Sequence, residues 1–181
     1  VCSSDLYNVQ SSEKEKFDGV MLDIEPYISD SWKENPEEYM DRYISCMKKG
    51  YKFAQKNHLR TAICIPRHYD NQGLTSGLEE LIKETCDEVA VMNYSCGNEI
   101  EAIRTEAALS EKYGKELHCI LEFQEVGKHG LTENKTYRNK GIDNAKETWE
   151  KLQKEYKNIN VTRDYHWSRP VREMLEEKNA D

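Results

Sequence analysis

The stretch FDGVMLDIEPY, residues 17 to 27, decides how the chain is read. It has the aliphatic pattern of a buried strand, yet it closes on two carboxylates, Asp23 and Glu25, two positions apart. Strand alternation puts Met21, Asp23 and Glu25 on one face and Val20, Leu22 and Ile24 on the other. The aliphatic face is expected to pack against helices, which leaves the two acids projecting together at the end of the strand. Close carboxylates do not both ionise without cost, so such a pair is a way to keep a glutamate protonated near neutral pH as a general acid. The bland role for the same acids is ion pairing with a cation of the next strand, such as Arg67.

Outward from this stretch, apolar runs alternate with longer segments of helical period. The strand candidates are 17–25, 59–67, 87–95, 116–124 and 159–167. Between the first two, Tyr39, Tyr43, Cys46, Met47, Gly50 and Phe53 recur at spacings of three and four, as one buried helix face requires. Ile142, Ala145, Trp149, Leu152 and Tyr156 do the same before the last strand. Ser76 with Glu79 offers a capping box for a helix carrying Leu78, Leu81 and Ile82, and Pro170 suits the first turn of a closing helix with Val171, Met174 and Leu175 inward. Strand and helix in alternation, with no tight hairpin turn, imply an α/β fold of about five parallel βα units. No linker interrupts them, so residues 1–181 read as a single domain. A doubly wound sheet would carry a glycine-rich phosphate turn after the first strand, and DIEPYISDSW stands there instead. The better expectation is a partial (β/α)8 barrel, strands four to eight, in which strand C-termini meet at one mouth where sites are built.

Composition narrows the partners. A formal net charge of -8 and a pI near 5.3 argue against nucleic acid or an anionic membrane, both of which demand a basic face. Apolar runs are strand-sized, far short of a membrane span. The six cysteines (Cys2, Cys46, Cys64, Cys86, Cys96 and Cys119) are dispersed, without zinc-ligand spacing, and read as buried thiols rather than a metal site. No metal and no cofactor are expected. No signal peptide is visible, and a start at VCSSDLYN without methionine suggests an internal piece, which leaves localisation open. As a piece of a barrel, with open strand edges, the chain is expected to associate or to be poorly soluble.

The residues Asp18-Gly19-Val20-Met21-Leu22-Asp23-Ile24-Glu25 resemble the strand-four signature D-G-x-D-x-D-x-E of the family 18 glycoside hydrolases, the chitinase-like barrels. The resemblance implies cleavage of a glycosidic bond in a carbohydrate substrate. Glu25 would protonate the glycosidic oxygen, and Asp23 would position the acetamido group that serves as nucleophile. Met92-Asn93-Tyr94 is similar to the strand-six M-x-Y-D, which implies substrate contact by Tyr94 and its neighbour Asn93, with Ser95 in place of the usual aspartate. Trp167 falls where the family's strand-eight tryptophan floors the sugar site. The chain departs from the pattern at Met21, where the family carries the aspartate that pairs with the one at Asp23; acetamido assistance is therefore in question.

A competing mechanism comes from CILEFQEV, residues 119 to 126. Cys119, Leu121 and Phe123 would face helices, turning Glu122 and Gln124 inward. Glu25 as acid and Glu122 as nucleophile would then make a retaining glycosidase, and a salt bridge from Glu122 to Arg163 or Arg67 is the structural alternative. Tyr27, Trp32, Tyr69, Tyr94, Tyr165 and Trp167 fall at or just beyond strand ends, where sugar-stacking platforms are expected, and Gln124 adds a polar contact. No histidine is given a catalytic role, because carboxylates cover both proton-transfer roles. A carbohydrate-binding barrel without turnover is the third reading.

Overall fold

The computed structural model describes residues 2–180, with side chains from 6 to 177. Cys2, one of the thiols read as buried, lies outside the described side chains. The chain is α/β, and its five strands form a parallel sheet in the order β1-β2-β3-β4-β5. The strands are β1 (Gly19–Asp23), β2 (Arg60–Pro66), β3 (Glu88–Met92), β4 (Glu116–Glu122) and β5 (Val161–His166). The helices are α1 (Cys2–Gln10), α2 (Asp30–Glu34), α3 (Pro36–Lys56), α4 (Thr75–Thr85), α5 (Glu99–Ala102), α6 (Arg104–Tyr113), α7 (Gly141–Glu155) and α8 (Ser168–Ala180). No helix among the described residues is long and apolar enough to cross a membrane. Two compact units divide the chain, Val1–Val89 and Ala90–Asp181, and the division falls inside β3.

In the first unit β1 lies parallel to β2, with Gly19 opposite Arg60 and Asp23 opposite Cys64. A Cβ on Gly19 would sit 2.9 Å from the Arg60 carbonyl oxygen, so the glycine permits the close approach of the two strands. β2 is buried from Thr61 to Pro66 without a break, as a parallel strand covered on both faces should be. Asp87 ties the N-terminal end together: its carboxylate accepts from the Tyr51 hydroxyl at 2.6 Å and from the Thr61 amide at 2.9 Å. Helix α3 buries Met40, Tyr43, Ile44, Met47 and Ala54. The expected face is thus rotated: Cys46 and Phe53 are exposed, because Met40 and Ile44 take the inward positions. α4 starts one residue before Ser76, at Thr75, with no side-chain cap on its first amides, so the expected capping box does not form.

In the second unit β4 lies parallel to β5, with Glu122 opposite His166. Helix α7 buries Ala145, Trp149 and Leu152, and the Trp149 indole N–H donates to the Cys119 carbonyl at 3.0 Å. Ile142 and Tyr156, expected inward, are half-buried at its two ends. Phe123 lies between Trp149, Tyr137 and Tyr165, with ring centroids 6.5, 6.0 and 6.4 Å away. Pro170 sits in the first turn of α8; Val171 is buried, Met174 half-buried and Leu175 39% exposed, so among the described side chains this helix turns outward after its start.

Candidate functional site

Each unit gathers side chains at the C-terminal ends of its strands. In the first, β1 ends at Asp23, which is exposed, and Ile24 is 46% exposed rather than packed on helices, because the strand has already ended. Pro26 keeps Glu25 out of helical geometry (φ -109°, ψ 72°), and the chain turns immediately into a short 3-10 turn, Pro26–Ile28. That turn folds Tyr27 back so that its hydroxyl donates to the Glu25 carboxylate. Burial, then the bond to Glu25, pushes the Tyr27 hydroxyl well above the usual tyrosine range, so it stays a donor.

Tyr27 stands edge-on to His68 at 5.2 Å and to Tyr69 at 6.1 Å, and Tyr69 tilts against Trp32 at 5.6 Å. Burial, then the charge of Arg67, lowers the His68 imidazole below its ordinary value and keeps it neutral. Two of the expected sugar platforms are corrected here. Trp32 is 3% exposed and Tyr69 0%, because their rings pack against each other and Tyr69 also lies against Tyr27. Met21 is 50% exposed and lines a groove of 330 Å³ with Asp18, Arg60 and Glu88.

In the second unit the central group is Glu122, the last residue of β4 and 2% exposed. Its Oε1 accepts from the amides of Phe123 and Gln124, both at 2.8 Å. Its Oε2 lies 2.9 Å from His166 Nδ1 and accepts from the Gln124 amide nitrogen at 3.2 Å. Burial pushes this carboxyl upward, but the bonds from His166 and Gln124 outweigh it and hold the group below the usual glutamate range. The partner of Glu122 is therefore the β5 histidine, not Arg163. Tyr94, after β3, leans on the His166 ring at 6.1 Å. Trp167 follows β5 through a cis peptide bond and is 46% exposed.

Asn93 is 1% exposed, and its side chain donates to the Glu99 carbonyl at 2.9 Å, tying down the loop that leads into α5. Glu99 in turn accepts from the Gly97 amide at 2.8 Å and from the Tyr137 hydroxyl. Burial pushes the Cys119 thiol up to about 12 and the Cys96 thiol up to about 11, so neither is a nucleophile near neutral pH. Cys64 and Cys86 are buried as well.

Of the residues singled out from sequence, Asp23, Glu25 and Tyr27 cluster in the first unit, and Tyr94, Glu122 and Gln124 cluster in the second. His166 was missed. Alternation along β5 places Asp164 and His166 on one face, and Asp164 pairs with His118 of β4 at 2.7 Å. The signal was the register, since Glu122 can meet His166 only when the two strands are parallel and level. Searches against protein-family models, curated proteins and solved structures find no match to this chain.

Proposed function

We propose that this chain is a glycoside hydrolase-like protein of (β/α)8-barrel type, with Glu25 as general acid and Asp23 as its helper. The observation that carries the reading is the geometry after β1: a turn begins at Pro26, and Tyr27 folds back in it to hold the Glu25 carboxylate two residues beyond Asp23. A carboxyl fixed by a neutral donor is oriented before substrate arrives, which is what proton transfer to a leaving oxygen requires.

In this mechanism Glu25 gives its proton to the glycosidic oxygen as the bond from that oxygen to the anomeric carbon breaks. The acetamido oxygen of the same sugar, oriented by Asp23, forms the new bond to that carbon. Water then attacks the anomeric carbon, the acetamido bond opens, and the Glu25 carboxylate takes the water's proton. The enzyme ends in its starting state.

The test is Glu25→Gln, which keeps shape and hydrogen bonding but removes the proton. Hydrolysis of β-linked oligosaccharides of N-acetylglucosamine should fall by about 10²- to 10⁴-fold while binding of the sugar survives. An aryl glycoside with a good leaving group, which needs little acid assistance, should be partly rescued. Oligosaccharide turnover equal to wild type sinks the assignment. Met21 favours a second reading, a sugar-binding protein without turnover, because this half-exposed thioether stands two positions before Asp23, where the resembling family carries a carboxylate. Under that reading the wild-type protein binds the same glycosides and cleaves none.

A further inference from the structure

Between α5, the start of α6 and α7 lies a cavity of 540 Å³. Glu99 lines it and is only 8% exposed, whereas the other charged side chains around it are exposed. Its Oε1 is filled, because it accepts from the Gly97 amide at 2.8 Å and from the Tyr137 hydroxyl. Burial, then the bond to Glu99, pushes that hydroxyl well above the usual tyrosine range, so it stays a donor. The Thr148 hydroxyl, 2.7 Å away, is left to donate to the tyrosine oxygen. Oε2 accepts no hydrogen bond among the described residues and is not enclosed by them. A largely desolvated carboxylate oxygen without a donor is costly, which favours a bound donor at that point.

The other charges around the cavity mostly answer one another. Glu101 grips Arg104 at two points, one of them the Nε bond at 2.9 Å, and Glu155 acts on the same guanidinium. Glu147 lies 3.9 Å from Lys151. Lys140 remains: its ammonium makes no hydrogen bond or ion pair among the described residues. It stands close to Glu99, since the Cys96 thiol, pushed up chiefly by burial, is lowered by the charge of Lys140 and raised by that of Glu99. The cavity thus holds two unanswered charges of opposite sign.

We propose that this cavity binds a small amino-acid-like zwitterion, its ammonium on Glu99 Oε2 and its carboxylate on Lys140. The saturation of Oε1 selects the cation. A guanidinium takes both oxygens of a carboxylate in parallel, whereas an ammonium is content with one, so the ligand is an amine. A simple cation would be repelled by Lys140 and a simple anion by Glu99. A molecule carrying both charges satisfies both groups. Asn98, Asn144 and Thr148 add polar contacts, and Tyr137 and the half-buried Ile100 supply apolar surface for the carbon skeleton. The site is independent of the glycosidase reading.

The experiment is thermal unfolding of the full chain with the common L-amino acids, each at about 10 mM, beside 4-aminobutyrate, methylammonium and acetate. At least one amino carboxylate should raise the midpoint by about 2 to 5 °C, and the two singly charged compounds should raise it less. In nitrogen-15 NMR the responsive compound should also move the Gly97 amide, which shares the Glu99 carboxylate. In Glu99→Gln the Gly97 amide and the Tyr137 hydroxyl hold the glutamine oxygen at the Oε1 position, so its NH2 turns to the cavity and meets the ammonium donor to donor. Binding should weaken by tenfold or more, on the order of one lost charge-assisted bond. If that variant does not fold, Lys140→Gln, a change at an exposed position, should weaken binding by about tenfold.

No response to any amino carboxylate overturns the proposal. So does either variant that folds and binds as tightly as wild type. A Gly97 amide that stays still while the midpoint rises puts the ligand elsewhere and overturns it too, as does methylammonium matching the best amino carboxylate.

Discussion

At the scale of single residues, the acids at strand ends differ in what holds them. Glu25 has a tyrosine hydroxyl two positions on, and Glu122 has backbone amides and a histidine. Tyr27→Phe removes the donor to Glu25 and keeps the ring against His68 and Tyr69. On the glycosidase reading turnover should drop by about tenfold with the fold intact by circular dichroism; an unchanged rate would remove Tyr27 from the mechanism. Glu122 also makes a pH prediction. Its folded-state pKa lies below the ordinary glutamate value, so its stabilisation is present above about pH 4.3 and is lost as pH falls through the folded value. The urea midpoint of wild type should therefore exceed that of Glu122→Gln by a constant margin near neutrality, and the margin should shrink below about pH 4. A margin independent of pH would contradict the charge-based origin. The positions of Asp23, Glu25 and Glu122 at strand ends were legible because alternation is a local property. The burial of Trp32 and Tyr69 was not, since it depends on rings from other segments meeting each other.

At the scale of elements, two glycines test the packing. Gly77 lies in α4, and a Cβ there would come within 2.6 Å of Met40 Cγ of α3. Alanine in a helix interior normally gains about 1 kcal/mol over glycine, but Met40 is 1% exposed and its Cγ has little room to move. Gly77→Ala should therefore be destabilising by about 1 to 3 kcal/mol in chemical denaturation, against the sign of helix propensity. A stabilised variant would show that the α3–α4 contact yields easily. Trp149→Phe removes the indole bond to the Cys119 carbonyl and part of a buried ring, and should cost about 1 to 3 kcal/mol. The order and type of the strands were readable from apolar runs between helical periods. Their ends were not: each run continued into residues such as Ile24, which are apolar but already outside the ladder. Helix faces were misjudged for a related reason, as periodicity leaves a stripe's centre open until a neighbour picks Met40 and Ile44 over Cys46 and Phe53.

At the scale of the molecule, 34 acidic against 26 basic residues leave a net charge of -8. Many of the ion pairs are three or four residues apart and solvent-exposed, such as Lys33–Asp30 and Lys128–Glu125. Pairs of this kind contribute little, whereas self-repulsion of the excess acids acts on the whole chain. Raising salt from about 0.05 to about 0.5 M should leave the thermal midpoint unchanged or raise it by a few degrees. A clear fall would mean that ion pairs outweigh repulsion. The α/β class and the parallel pairing followed from the succession of βα units, because short connections and handedness leave few ways to arrange them. The meeting of Glu122 with His166 needed the register as well, which no single segment encodes.

β2 is buried without interruption from Thr61 to Pro66, and the side chains that its own run of chain contributes beside Tyr27 begin only after it, at His68 and Tyr69. Heritable change is thereby partitioned along the chain. Drift inside the strands is purged by misfolding, whereas drift in the segments that follow them alters recognition and leaves the fold standing. A library randomised over 67–73 should retain mostly folded members with diverse ligand preferences, apart from those altered at the buried Tyr69. The same diversity placed in 61–66 should yield few soluble proteins at all.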